Sequence, residues 1–390
     1  MPARIRERDD DFRVEEIPSV IPEGHGDHVF VHIEKRGVPT QRVVQELARA
    51  LGISPRQVGS AGRKDARAVA TQWLSLEGVD PASLDTLDVQ GVRVLDAHRH
   101  PRKLGMGELA GNRFTIRLRG SEPGAGDPVA RVLKVLDGRG VPNYFGRQRF
   151  GVRGDSAAVG RAVLRGEWDE VARRVAGDPR PEESPLIREA RGLFDEGRYR
   201  EAADRWPRPF REPRTVCRIL AEGRSSEEAV RALGRPMLQF FRSAYQSWLF
   251  NAVLARRLHD LDVVQAGDVA LMHATGALQR VDDPEELADA VSSQAASATG
   301  PLFGPRMWQP GGEPARIEDE VLTAHGVRAG EFARRKANRR MGQRRALRIP
   351  LGDYGVEEGS DEHGPFLQLT FRLAPGGYAT AVLREIRKED

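Results

Sequence analysis

"FLQLTFRLAPGGYATAVLREIRKED", residues 366–390, closes the chain and decides how the rest is arranged. It reads as a strand, a Pro-Gly-Gly turn at 375–377 and a short helix. One strand and one helix cannot bury their own apolar faces, so this segment must complete a sheet laid down earlier. The middle of the chain is then an insertion between two parts of one domain.

The strands it needs lie near the other end. "DFRVEEI" and "HVFVHIEKRG", within residues 10–37, alternate apolar and polar side chains and are separated by "PEGHGDH". "TQRVVQELARALGI" changes to helical spacing, with Val43, Val44, Leu47 and Leu51 on one side, Thr40 as N-cap and Gly52 as stop. "VGSAG", "TQWLSLEGV" and "VRVLDAHRH" read as further strands. "GNRFTIRLRG" (111–120) sets Phe114, Ile116 and Leu118 against Arg113, Arg117 and Arg119. A helix over "DPVARVLKVLDG" follows. The order mixes strands and helices without regular βα alternation, which points to α+β with a largely antiparallel mixed sheet. Residues 155–260 are helical in pattern, broken by "DPRPEESP" and "WPRPFREPR". The clearest helix is 237–258, with Leu238, Phe241, Tyr245, Trp248, Leu249 and Val253 near one stripe. "GDVALMHATGALQRV" reads as a hairpin around Thr275-Gly276, and "DPEELADAVSS" as a capped helix.

Composition sets the bounds. With 390 residues, 39% hydrophobic and 30% charged, the chain can bury a real core and suggests two or three domains. Mean hydropathy is −0.51, and no apolar run is long enough to span a bilayer. The start is charged from Arg4 and lacks the apolar core of a secretory signal. Cys217 is the only cysteine, which excludes an intrachain disulfide and a thiolate metal cage. The expected setting is cytoplasmic. The net charge of +4 permits an acidic partner without requiring one.

Chemistry is suggested by what is present and what is absent. There is no Walker loop, no G-x-S-x-G elbow, no His-Glu-x-x-His and no GxGxxG opening a helix. His98 and His100 share a strand face but make no ligand set. Cofactor-driven chemistry and metal chemistry have no motif behind them. "AGRKDARAVATQW" (61–73) places Asp65 beside Lys64 after a glycine turn. An adjacent cation favours the ionised carboxylate, which suits a nucleophile or anionic base; the same dipeptide is common on solvated surfaces. "PNYFGRQRFG" (142–151) interleaves Tyr144 and Phe145 with Asn143, Arg147, Gln148 and Arg149. That pattern suits a splayed RNA base, or a hairpin whose aromatics fill a core. Residues 334–348 carry eight Lys or Arg among fifteen, including Arg339, Arg340, Arg344 and Arg345. The run suits a polyanionic backbone, or a solvated helix face.

Together these blocks resemble the TruD-type pseudouridine synthases. "AGRKDARAVATQW" matches that family's Gly-x-Lys-Asp motif with its Thr-Gln-Trp. "VPNYFGRQRFG" is close to its most distinctive signature. "GNRFTIRLR", "RSAYQSWLFNAVLARRL", "GDVALM", "RRALR" and "LAPGGYATAVLREI" are similar to further blocks in the right order. The resemblance implies a pseudouridine-synthase catalytic domain over 1–153 and 346–390, interrupted by an inserted α/β TRUD domain over 154–345. The stretch 160–235 matches no block and looks longer than in bacterial members.

The resemblance also implies an isomerase that converts a uridine in RNA, most often position 13 in the D-arm of tRNA, without metal or organic cofactor. On that basis Asp65 is the catalytic residue. Lys64 keeps it anionic and oriented, Phe145 stacks on the uracil, Asn143 lies near the target nucleotide and Arg384 lies near the site. Arg63, Arg147, Arg149, Arg339, Arg340, Arg344 and Arg345 are the candidate RNA-binding residues. The alternative is an RNA-binding or tRNA-folding protein without catalysis.

Overall fold

The computed structural model of the protein describes residues 4–333 and 341–388. The chain forms two compact units, Met1–Val141 with Ile349–Asp390, and Pro142–Arg348. The first stretch lays down β1 (Phe12–Pro18), β2 (His28–Arg36), α1 (Thr40–Ala50), β3 (Val58–Ser60), β4 (Val69–Glu77), β5 (Val92–His100), β6 (Leu109–Arg119) and α2 (Gly126–Arg139). Every strand expected from period-two alternation here is formed. α1 buries Val43 and Leu47 and is followed by Gly52 at φ 67°, a backbone turn that glycine makes without strain. Thr40 does not cap this helix. Pro39 holds the cap position, and the Thr40 hydroxyl instead donates to Gln72 Oε1 and accepts from the Lys64 amide.

The chain leaves through the two-residue strand β7 (Val141–Pro142). The inserted unit opens with seven helices: α3 (Ser156–Arg165), α4 (Trp168–Ala176), α5 (Pro185–Asp195), α6 (Tyr199–Arg205), α7 (Arg211–Ala221), α8 (Ser226–Arg231) and α9 (Arg235–Arg256). Their shared core gathers Val163, Phe194, Trp206, Cys217 and Phe241. Gly160 lets α3 lie against the α9 backbone, because a Cβ there would collide with the Phe241 carbonyl. α9 buries Leu238, Phe241, Tyr245, Leu249 and Val253 as the stripe predicted. Trp248 leaves the stripe, 36% exposed and edge-on to His325.

The unit ends with β8 (Val269–Met272), β9 (Leu278–Arg280), α10 (Ala288–Ser292), β10 (Ala296–Leu302), α11 (Gly312–Ala324) and β11 (Gln343–Ala346). Its sheet runs β11-β10-β8-β9 with antiparallel pairing throughout. The tail of the basic run is therefore a strand, not a helix face. Arg339 and Arg340 lie outside the described residues.

The chain returns through β12 (Arg348–Ile349) and supplies β13 (Leu351–Asp361), β14 (Gly364–Leu373) and α12 (Ala379–Arg387). β14 pairs antiparallel with β6, setting Leu369 beside Ile116 and Phe371 beside Phe114. The completed order is β13-β14-β6-β1-β4-β2-β5, with β3 on β4. Within this sheet, among the described residues, only the β1–β4 pair is parallel. The fold is α+β with a mostly antiparallel mixed sheet. α2 and α12 cover one core of Phe12, Val14, Ile116, Leu369 and Phe371. α1 covers another of Val29, Val31, Ile33, Leu74 and Leu76. Arg119 locks the two chain segments together, donating to Asp11 and to Asp361. That guanidinium holds the Asp361 carboxyl well below the usual carboxylate range.

Candidate active site

Alternation along the sheet explains where a site can form. Val14, Ala70, Leu74 and Ile33 mark the covered face of β1, β4 and β2. Continuing each strand by steps of two brings Glu16, Gln72 and Lys35 to that same face, and pairing adds Asn112 opposite Glu16. These four polar residues fall between the two apolar clusters. The loop 61–68 crosses this polar stripe.

Asp65 sits on that loop with its side chain 43% exposed, and its carboxylate receives Arg6 Nη2 at 2.5 Å. Arg6 itself lies over the Phe12 ring at 4.0 Å, so an apolar contact fixes the cation that meets Asp65. Behind the loop, Lys35 Nζ donates to the Asp65 carbonyl at 2.5 Å and to the Val38 carbonyl at 2.8 Å. Lys35 is fully buried, and burial, with Lys64 nearby, brings its pKa down to about 8 against the opposing pull of Asp65 and Asp9.

Lys64 corrects the expectation drawn from its position. Its ammonium does not reach its neighbour in sequence. It is buried on Glu16 Oε2 at 2.7 Å and Asn112 Oδ1 at 2.5 Å. The two adjacent side chains face opposite ways, Lys64 buried against the sheet and Asp65 exposed. The cation on Asp65 is Arg6, 59 residues away. Glu16 also accepts the Trp73 amide at 3.0 Å, tying the Thr-Gln-Trp strand to the same network. Arg63 is exposed on the loop, and Arg384 is exposed on α12.

In the inserted unit the aromatic-basic loop is built as one cluster. Asn143 donates its amide to the Leu347 carbonyl and its side-chain nitrogen to the Ala346 carbonyl, both at 2.8 Å. Its oxygen accepts from Arg345 Nη2. Phe145 is 9% exposed and meets Phe250 edge-on. The Arg345 guanidinium lies 4.3 Å from the Phe145 ring centre, and that of Arg149 lies at 5.6 Å. Asn251 exchanges two 2.9 Å hydrogen bonds with the Phe145 backbone. Arg149 donates to Ser247, and Arg147 is exposed. The loop thus joins the two sequence alternatives: its aromatic is in a core, yet it carries guanidinium groups.

Arg344 is a second correction. It is buried, with its guanidinium on Thr299 and on Glu318 Oε1 at 2.8 Å, and no phosphate can reach it there. Inward and outward residues alternate along β11, so one of the two adjacent arginines had to turn in. Sequence reasoning missed Arg6, Lys35, Glu16 and Asn112, whose roles arise from pairings across strands. Asn251 lies within "RSAYQSWLFNAVLARRL", directly after Leu249 and Phe250, so the sequence did offer it. Among the described residues no cluster of three or more His, Cys, Asp or Glu is arranged to hold a metal, and no helix is long and apolar enough to cross a membrane.

The same architecture is found in the crystal structure of the putative tRNA pseudouridine synthase D (TruD) from Methanosarcina mazei. The TM-score is 0.83, with 28% identity, over 100% of this chain and 94% of that one. Fold and discontinuous sheet therefore define the class of pseudouridine synthases. The family model for tRNA pseudouridine synthase D (TruD) matches residues 1–386. The tRNA pseudouridine synthase D of Geobacter metallireducens is 44% identical over 98% of this chain and 94% of that protein. That of Thermus thermophilus is 35% identical over 98% of this chain and 88% of its own length. This chain belongs to the TruD family. Alignment over 98% of the chain spans residues 160–235.

Proposed function

We propose that the protein isomerises a uridine of tRNA to pseudouridine, with position 13 of the D-arm as target and Asp65 as the catalytic residue. Membership of a family named for this activity supports the reaction, and relatives named as tRNA enzymes support the substrate. One observation carries the residue assignment. Asp65 is exposed at the polar stripe while its backbone is tied to a buried lysine and its carboxylate to Arg6. Glu16, Asp10 and Asp11, on β1 and just before it, are held in ion pairs with Lys64, Arg36 and Arg119.

The reaction breaks the bond from C1′ to N1, turns the uracil and bonds C5 to C1′. The C5 hydrogen leaves as a proton and N1 gains one. No oxidant, reductant or group donor is needed, so the proposal includes no cofactor. A carboxylate serves by adding to sugar or base or by taking a proton, and each role needs it both fixed and accessible. Phe145 and Asn143 are assigned to holding the target base. A paired base cannot reach these groups, so the target is flipped or already unpaired. Arg63 and Arg147, both exposed, are assigned to phosphates, and Arg384 to the margin of the site. The discontinuous unit is assigned to catalysis and the inserted unit to RNA recognition, in the cytoplasm.

The test is release of C5 tritium from uridine-labelled tRNA. Asp65→Asn is expected to lower turnover by about a thousandfold or more while tRNA binding persists. Wild-type turnover in that variant would overturn the assignment and favour a non-catalytic tRNA-folding role.

A further inference from the structure

A buried ammonium without a carboxylate partner demands a reason, because removing that charge from water is costly. Lys35 is such a group. It is 0% exposed, forms no ion pair among the described residues and gives its protons to two main-chain carbonyls, Val38 O and Asp65 O. A methionine or leucine would pack in this face of β2 as Val31 and Ile33 do, at far lower cost.

We infer that Lys35 is a positioning residue for Asp65: its ammonium clamps the Asp65 carbonyl to the end of β2 and so fixes where the carboxylate points. The inference rests on Asp65 as the catalytic group. Two further ties support it. The neighbouring Lys64 amide is held by Thr40 Oγ1 at 2.9 Å, and the Lys64 ammonium by Glu16 and Asn112. Residue 64 is thus anchored at both its main chain and its side chain, while residue 65 has its main chain held at the carbonyl by Lys35 and its carboxylate met by Arg6. Lys35 is the group that turns an anchored loop into an aimed carboxylate.

The clamp has a pH range. The charged and titratable groups facing Lys35 are Asp65 and Lys64 on the loop and Asp9 before β1, while the strands beside it present Ala70 and Val92. The ammonium therefore loses its proton near pH 8, against 10.5 for an ordinary lysine. The folded value lies below the unfolded one, so charged Lys35 costs stability at neutral pH, and that cost is relieved as pH rises above about 8. Activity and this stability contribution then move in opposite directions, which separates positioning from folding.

The experiment measures single-turnover pseudouridine formation in tRNA from about pH 6.5 to 9.5, with thermal melting alongside. For the wild type, the rate is expected to fall above about pH 8 without loss of melting temperature. Lys35→Met is expected to be about 10- to 100-fold slower at neutral pH, with that alkaline fall gone. Asp9→Asn, which removes a charge favouring the ammonium, is expected to move the fall to lower pH; it serves as the deciding variant if Lys35→Met does not fold. A Lys35→Met enzyme at the wild-type rate or with the alkaline fall intact overturns the inference, as does an Asp9→Asn profile that does not move. Asp65→Asn is run in parallel. If it keeps wild-type turnover, the catalytic assignment has failed, whatever the Lys35 profiles show.

Discussion

The Asp65 carboxylate and Arg6 meet at 2.5 Å with 43% and 20% of the two side chains exposed. Solvent screens such a pair, so its contribution to stability is about 0–1 kcal/mol, and its value is in direction. Arg6→Ala is expected to lower the maximal rate of pseudouridine formation by about tenfold or more, while the urea midpoint stays nearly unchanged. Lys64 and Glu16 form the opposite kind of pair, both almost fully buried. Glu16→Gln leaves an uncompensated buried ammonium and is expected to cost about 3–5 kcal/mol in urea unfolding. Arg147 is exposed on the aromatic-basic loop. If it meets a phosphate, Arg147→Ala should reduce the slope of log affinity against log salt by about one, measured by tRNA binding at several salt concentrations.

Among the elements, β11 and β13 were the hardest to read. "GQRRALR" offers two adjacent arginines, and sequence cannot say which turns inward. The choice follows from the partner strand β10, which offers Thr299, and from α11, which offers Glu318. β13 has few apolar residues because it is an edge strand with most of its positions exposed or half-buried, so no alternation marks it. By contrast β1, β2, β4, β6 and β14 were legible, since one face of each is buried. The tie between α11 and β11 makes its own prediction. Burial pushes the Glu318 carboxyl up to about 7 from its ordinary 4.5, against the pull of Arg344. Its folded value lies above its unfolded one, so its contribution favours folding at low pH and is lost as pH rises through about 7. Glu318→Gln should remove that slope, as read from urea midpoints at about pH 5.5 and 8.

At the scale of the whole molecule, the discontinuous unit depends on a segment that arrives last. Leu367, Leu369, Phe371 and Leu373 on β14 are each 1% exposed or less. Burying each contributes about 1.5–3 kcal/mol, together comparable to the net stability of a domain. A chain ending at Arg348 should therefore fail to fold its sheet, seen as protease sensitivity of residues 4–141 and loss of activity. That dependence could be read from the closing residues alone, because a lone strand and helix have nowhere else to bury their apolar faces. Sequence by itself also determined the strands with one buried face, the long α9 and the loop that carries Asp65. It did so because burial imposes a period of two or 3.6 on local residues. Only the tertiary structure decided the charges around Asp65. Arg6 reaches it across 59 residues, Lys64 finds Asn112 across 48, and Lys35 grips its carbonyl across 30. Such pairs are set by strand register and by the direction each side chain takes from its backbone, and neither leaves a mark on the spacing of residues along the chain.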